Sequence, residues 1–86
     1  MTIHGAVIIE QGVTFAIVAV KPEVTRYTVR LTAVRQELAP FFPSMPLILM
    51  SQSADGTPHY YGRKDIVDFL KTIRIEQIPW KTYHFY

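Results

Sequence analysis

The stretch VTFAIVAV, residues 13–20, decides the fold, because it is an eight-residue run without a charged side chain. Its β-branched and aromatic residues favour an extended strand. Phe15 and Ile17 face one side of such a strand, whereas Ala16 and Val18 face the other, so both faces are apolar. A strand of this kind is typical of the centre of a sheet that is covered on both sides. We therefore expect residues 13–20 to form a central strand.

Two β-hairpins are predicted on either side of a helical region. Residues 6–9 are rich in β-branched side chains, and Gln11-Gly12 is a turn signal that joins them to the central strand. Further along, residues 47–50 form a short apolar run, and Asp55-Gly56 is a second turn signal. Residues 59–61 then return as the partner of that run. The strand at 47–50 is expected to lie parallel to the central one, with a right-handed crossover between them.

The region between the hairpins has two readings. Apolar residues recur there at steps of three and four, which predicts one amphipathic helix from about Glu23 to Ala39 that ends before Pro40. Residues 26–32 also alternate between apolar and polar side chains, which would make them a strand followed by a short helix. The helical pattern spans more of the chain, so we expect the helix.

A second helix is predicted to begin near Arg63. Ile66, Phe69, Leu70 and Ile73 follow the spacing of one helical face. Residues 81–85 are then expected to form an edge strand. The element order β-β-α-β-β-α-β predicts an α+β fold: one domain over residues 1–86, built as a two-layer sandwich of a mixed sheet of about four to five strands with two helices.

The part of the chain from Val13 to Ile73 resembles the β-α-β-β-α skeleton of thioredoxin-like domains. The resemblance implies a cis-proline at Pro46, before the third strand, and a last helix that opens at Gly62. The redox cysteines of that family are absent, since the chain has no cysteine, and the residues at 20–23 are Val-Lys-Pro-Glu where Cys-X-X-Cys would be sought. Thioredoxin-type redox chemistry is therefore excluded.

Charge and hydrophobicity disfavour two classes of function, nucleic-acid binding and membrane insertion. The chain carries a formal net charge of only +2, and Arg26 and Arg30 lie on a different side of the predicted helix from Arg35, so nucleic-acid binding is disfavoured. The apolar run at 13–20 is far shorter than a membrane span. We expect a cytoplasmic protein without a membrane segment. No catalytic motif, metal site or cofactor is predicted, and whether the protein is an enzyme stays open.

One candidate ligand site lies at the start of the second predicted helix. Gly62 leads into that helix beside Arg63 and Lys64, so free backbone amides and two cations could hold an anion there. His59 and Tyr61 would line the same site. The alternative interpretation is an ordinary solvated first turn, since a single glycine is not a phosphate-binding loop.

The aromatic residues of the last third suggest a second kind of function. Tyrosine and tryptophan are enriched at interface hot spots, and the residues that we assign to an interface are Tyr60, Trp80, Tyr83, Phe85 and Tyr86. The predicted strands also carry more apolar surface than two helices clearly cover. The sequence therefore favours a non-enzymatic protein that associates with itself or with a protein partner. The alternatives are that the helices cover opposite faces, or that the C-terminal tail folds back over the sheet.

Overall fold

The central strand of the sheet is the apolar run that the sequence singles out. The computed structural model describes residues 1–85. The strands are β1 (Thr2–Glu10), β2 (Val13–Ala19), β3 (Leu47–Gln52), β4 (Pro58–Tyr61) and β5 (Lys81–His84), and the helices are α1 (Pro22–Arg26), α2 (Thr28–Leu38) and α3 (Lys64–Leu70). Two short 3₁₀ helices follow α2 and α3, at Ala39–Phe41 and Ile75–Gln77.

The five strands form one mixed sheet in the order β4-β3-β2-β1-β5. β2 and β3 are parallel, with Ile17 opposite Ile48, and the other neighbouring pairs are antiparallel. The α+β class, the mixed sheet and the parallel pair are thus confirmed. The chain crosses from β2 to β3 through α1 and α2, because parallel strands cannot be joined by a tight turn.

Both hairpin turns form where the turn signals lie. Gln11 and Gly12 have φ values of 51° and 78°, so both central residues adopt the left-handed conformation that a two-residue hairpin turn of type I′ requires. In the second hairpin, the Asp55 carboxylate accepts a hydrogen bond of 3.0 Å from the Thr57 amide. A side-chain acceptor of this kind stabilises a turn locally, without help from the rest of the fold.

The two faces of β2 pack into two separate cores. Phe15 and Ile17 are buried with Leu70 of α3, whereas Ala16 and Val18 are buried on the other face with Leu38 of α2. The two main helices therefore lie on opposite faces of the sheet. The prediction of a two-layer sandwich is refined to three layers, because a strand with two apolar faces needs a cover on each of them.

The predicted long helix is interrupted once. Tyr27 is extended, with φ −123° and ψ 131°, and separates α1 from α2. The Thr25 hydroxyl of α1 forms a 2.8 Å hydrogen bond with the Ser51 hydroxyl of β3, so α1 is attached to the sheet directly. Helix is therefore confirmed over most of residues 23–39, and the alternative strand at 26–32 is wrong.

The last part of the chain returns to the opposite edge of the sheet. α3 begins at Lys64, close to the predicted start, and β5 confirms the predicted edge strand. β5 pairs with only the first part of β1, from Thr2 opposite His84 to Gly5 opposite Lys81. None of the helices in residues 1–85 is long and apolar enough to cross a membrane.

Candidate functional site

The cations of the predicted anion site are held by carboxylates of their own helix. Arg63 donates two hydrogen bonds to the Asp65 carboxylate, at 2.7 and 2.8 Å, and Lys64 donates one of 2.7 Å to Asp68. The bonds from Arg63 lower the pKa of Asp65, so this carboxylate is ionised at neutral pH. An anion at Gly62 would compete with both carboxylates for the same cations. The N-terminal region of α3 is thus charge-balanced as it stands.

His59 and Tyr61 line a different groove, of about 230 Å³, between α1 and the ends of β3 and β4. His59 is opposite Ser51 in the sheet, and its Nε2 atom lies 2.5 Å from the Ser53 hydroxyl. The structure therefore divides the predicted ligand residues between two places: His59 and Tyr61 lie in this groove, whereas Arg63 and Lys64 lie beside acidic partners on α3.

The contact between Ser53 and His59 has the form of a nucleophile next to a base, but it lacks the third group that orients such a base. Asp55, the nearest acidic residue in the hairpin, uses its carboxylate to accept the Thr57 amide. Its pKa is lowered chiefly by that bond and only to a minor extent by His59. In residues 1–85 no carboxylate is hydrogen-bonded to His59. The Ser53–His59 contact therefore acts structurally, since it links the two sides of the β3–β4 hairpin.

Tyr83 and Phe85 of the C-terminal segment pack inward on the α2 side of the sheet, whereas Trp80 packs against the core on the α3 side. The ring centroids of Phe41 and Phe85 are 4.3 Å apart, and those of Phe42 and Tyr83 are 5.9 Å apart. Trp80 donates its indole N–H to the carbonyl of residue 75, at 3.1 Å. The tail therefore contributes to the cores of the same chain from the edge strand β5, and it does not fold back over an open face of the sheet.

Tyr60, also assigned to the interface, is buried on the α3 side, and Tyr86 lies outside the described residues. A buried ring offers little area to a partner, so Tyr60 itself contributes little surface for association, whereas Trp80, Tyr83 and Phe85 are half-buried. The role of these residues in an interface stays a prediction.

The exposed apolar surface of the sheet lies instead at the edge of β1, a feature that the sequence analysis missed. β5 begins at Lys81, opposite Gly5. The residues before it do not extend the pairing, because Pro79 has no N–H and the Trp80 amide donates to the Ile78 carbonyl oxygen at 2.8 Å. Among residues 1–85 no strand pairs with the outer edge of residues 6–10, which we call the β1 edge. Two of its side chains are exposed, Val7 by 40% and Ile9 by 71%.

Two further observations concern the peptide bond before Pro46 and the grouping of side chains that can bind a metal ion. Pro46 directly precedes β3, and the peptide bond before it is trans, whereas the thioredoxin-like resemblance implies cis. In residues 1–85 no three His, Asp or Glu side chains are grouped so that they could hold a metal ion.

Comparison with protein-family models, with curated proteins and with solved structures finds no match for this chain. The thioredoxin-like resemblance therefore stays a prediction, and any function must be argued from the surfaces described above.

Proposed function

We propose that the protein acts through protein–protein association, most simply as a homodimer that forms at the β1 edge. The observation that carries this proposal is a strand edge with which no strand of residues 1–85 pairs and which carries two exposed aliphatic side chains, Val7 and Ile9. Each face of the sheet is covered by a helix, so the apolar side chains on both faces of the central strands are buried in the two cores. The edge is where backbone donors and acceptors remain free to pair with another chain. A cytoplasmic location is part of the proposal.

The β1 edge is self-complementary in one antiparallel register. A two-fold axis through Ile8 places Val7 opposite Ile9 of the partner subunit. By symmetry, Ile9 then lies opposite Val7 of the partner subunit. This register keeps the exposed side chains of the two copies on the same face, because directly opposed residues in an antiparallel pair share a face. Each copy then covers the most exposed aliphatic side chain of the other strand. The sheet becomes continuous through two copies.

The proposal is tested by the mass of the protein in solution over a wide range of concentration. Sedimentation velocity and light scattering from micromolar to millimolar protein should show the mass rise from that of a monomer towards that of a dimer. Ile9→Lys places a charge on the edge and should keep the protein monomeric throughout. Val29→Lys is the matched control, since Val29 is 84% exposed on α2, an element other than β1, and its substitution should leave association intact.

A monomer mass up to millimolar concentration would exclude the homodimer. An equal loss of association in Ile9→Lys and Val29→Lys would exclude the β1 edge as its location. Both variants change exposed residues, so circular dichroism should confirm that each remains folded.

A further inference from the structure

A second groove lies on the α3 side of the sheet, away from the β1 edge. It encloses about 480 Å³ between the β3–β4 turn, the end of α3 and the 3₁₀ helix that follows it. Its apolar lining comes from the Tyr60 ring and from Leu70, Ile73 and Ile75. This volume is within the range of small-molecule sites in proteins, which are mostly apolar with a few polar groups.

Tyr60 is one of the residues that line this groove, and its buried hydroxyl has no partner among residues 1–85. The Tyr60 side chain is 9% exposed, and its hydroxyl oxygen has less than 1 Å² of accessible surface and no hydrogen bond to any atom of residues 1–85. Burial raises the pKa of Tyr60, so the hydroxyl is a proton donor at neutral pH. Buried hydroxyls in proteins are nearly always hydrogen-bonded. The Tyr60 hydroxyl is therefore a donor that has no acceptor among residues 1–85.

The rim of the groove is positively charged. Lys71 and Arg74 line it together with a single carboxylate, that of Glu76. The salt bridges found in residues 1–85 involve other cations, those of Arg63 and Lys64. The two cations at the rim are thus available to a negatively charged group, and the net charge there favours an anion over a cation.

We propose that this groove binds a small amphipathic carboxylic acid. The apolar body of the ligand lies against Leu70, Ile73 and Ile75, and its carboxylate lies near Lys71 and Arg74. An oxygen of the ligand accepts the hydrogen bond that Tyr60 offers. Because the hydroxyl oxygen is closed off, the ligand must displace a neighbouring side chain to reach it. The groove is separate from the β1 edge, so this site does not depend on the proposed dimer.

Three probes of equal chain length separate the charge contribution from the apolar one: octanoate, 1-octanol and octylammonium. Each is titrated into ¹⁵N-labelled protein and followed by amide chemical shifts. Octanoate should shift the amides of residues 56–60 and 70–76, octanol should bind more weakly, and octylammonium should bind most weakly. Equal binding of octanoate and octylammonium, or the absence of shifts at these residues with octanoate, would overturn the proposal.

Variants then test the two polar contacts. Tyr60→Phe removes only the hydroxyl. It should weaken the binding of octanoate by about tenfold, which is the effect of losing one hydrogen bond to a charged group. The same change removes a buried unpaired hydroxyl, so the free protein should melt at the same or a higher temperature. Tyr27→Phe, at an exposed tyrosine between α1 and α2, is the control and should bind octanoate like the original chain.

The cations are tested by charge reversal. Lys71→Glu with Arg74→Glu should abolish octanoate binding, whereas Arg30→Glu on the exposed side of α2 should leave it unchanged. If Tyr60→Phe and the double variant both bind octanoate with the original affinity, the groove is not the binding site and the proposal fails. Weaker binding together with a retained or raised melting temperature separates a recognition role from a loss of folding.

Discussion

Arg35 joins α2 to two strands of the sheet. Its substitution should therefore lower the free energy of unfolding more than substitution of Arg30 on the same helix. Its guanidinium donates hydrogen bonds to the carbonyl oxygens of Leu47 in β3 and Tyr61 in β4, the latter at 2.9 Å. The side chain is half-buried, and this partial removal of the charge from water lowers the pKa of Arg35. Arg35→Ala leaves both carbonyls without this donor.

The magnitude follows from the two bonds. A hydrogen bond to a charged group contributes about 1.5–3 kcal/mol, and the value falls where water can replace the lost partner. Both bonds come from one half-buried guanidinium, so we expect Arg35→Ala to lower the free energy of unfolding by about 2–4 kcal/mol. A domain of this size has only about 5–15 kcal/mol in total. Arg35→Lys should lower the free energy of unfolding by roughly half as much as Arg35→Ala, because an ammonium group cannot span two acceptors as a planar guanidinium does.

The assay is equilibrium unfolding in urea, followed by circular dichroism at neutral pH. Arg30→Ala is the matched control on the same helix, because Arg30 is exposed, and its substitution should change the stability by no more than about 0.5 kcal/mol. The slope of the transition should stay the same in both variants, so that a shift of midpoint reports stability. If Arg35→Ala unfolds at the same urea concentration as Arg30→Ala, the argument from the two carbonyl bonds is refuted.

Three further predictions concern stability. Gly5→Ala would place a Cβ atom 2.5 Å from the carbonyl oxygen of Ile17 in the central strand, and we expect thermal melting to show a loss of about 2–3 kcal/mol; an unchanged melting temperature would contradict this close approach. Phe42→Ala removes a buried ring at the contact of the C-terminal aromatics and should cost about 3–5 kcal/mol in urea unfolding, and a loss below that of an exposed-site variant would exclude the packing described. Asp65→Asn should melt slightly lower than the original chain at neutral pH, because Arg63 lowers the pKa of Asp65 in the folded state. That difference should disappear as the pH falls below about 3.9, the ordinary pKa of an aspartate, and a difference that persists in acid would have another cause.

Much of the architecture could be predicted because it depends on short-range patterns. The two-sided apolar run at 13–20 indicated a central strand, and the turn signals at Gln11-Gly12 and Asp55-Gly56 marked both hairpins where they form. The break at Tyr27 could not be predicted in this way. The helical spacing continues through that residue in the sequence, and the bond between Thr25 and Ser51, which attaches α1 to the sheet, joins positions far apart in the chain.

The candidate sites were less predictable than the fold. Arg63 and Lys64 are correctly placed at the start of a helix, but their charges are used by acidic neighbours at positions 65 and 68. The residue type of Tyr60 predicts an interface role, whereas its ring is buried and its hydroxyl has no hydrogen-bond partner among residues 1–85. Sequence pattern shows which residue types are available; it does not show which polar atoms are satisfied.

The sequence by itself determined the order of strands and helices, the positions of the hairpin turns and the central place of residues 13–20. These follow from backbone preference and from the period of apolar side chains, which act over a few residues. Only the tertiary structure decided that the two main helices cover opposite faces and that Arg35 bonds to two strands. It also decided that β5 begins only at Lys81, so that no strand of residues 1–85 pairs with the β1 edge. Those features depend on contacts between residues distant in sequence, where packing and the satisfaction of backbone hydrogen bonds select one arrangement among several that the local pattern allows.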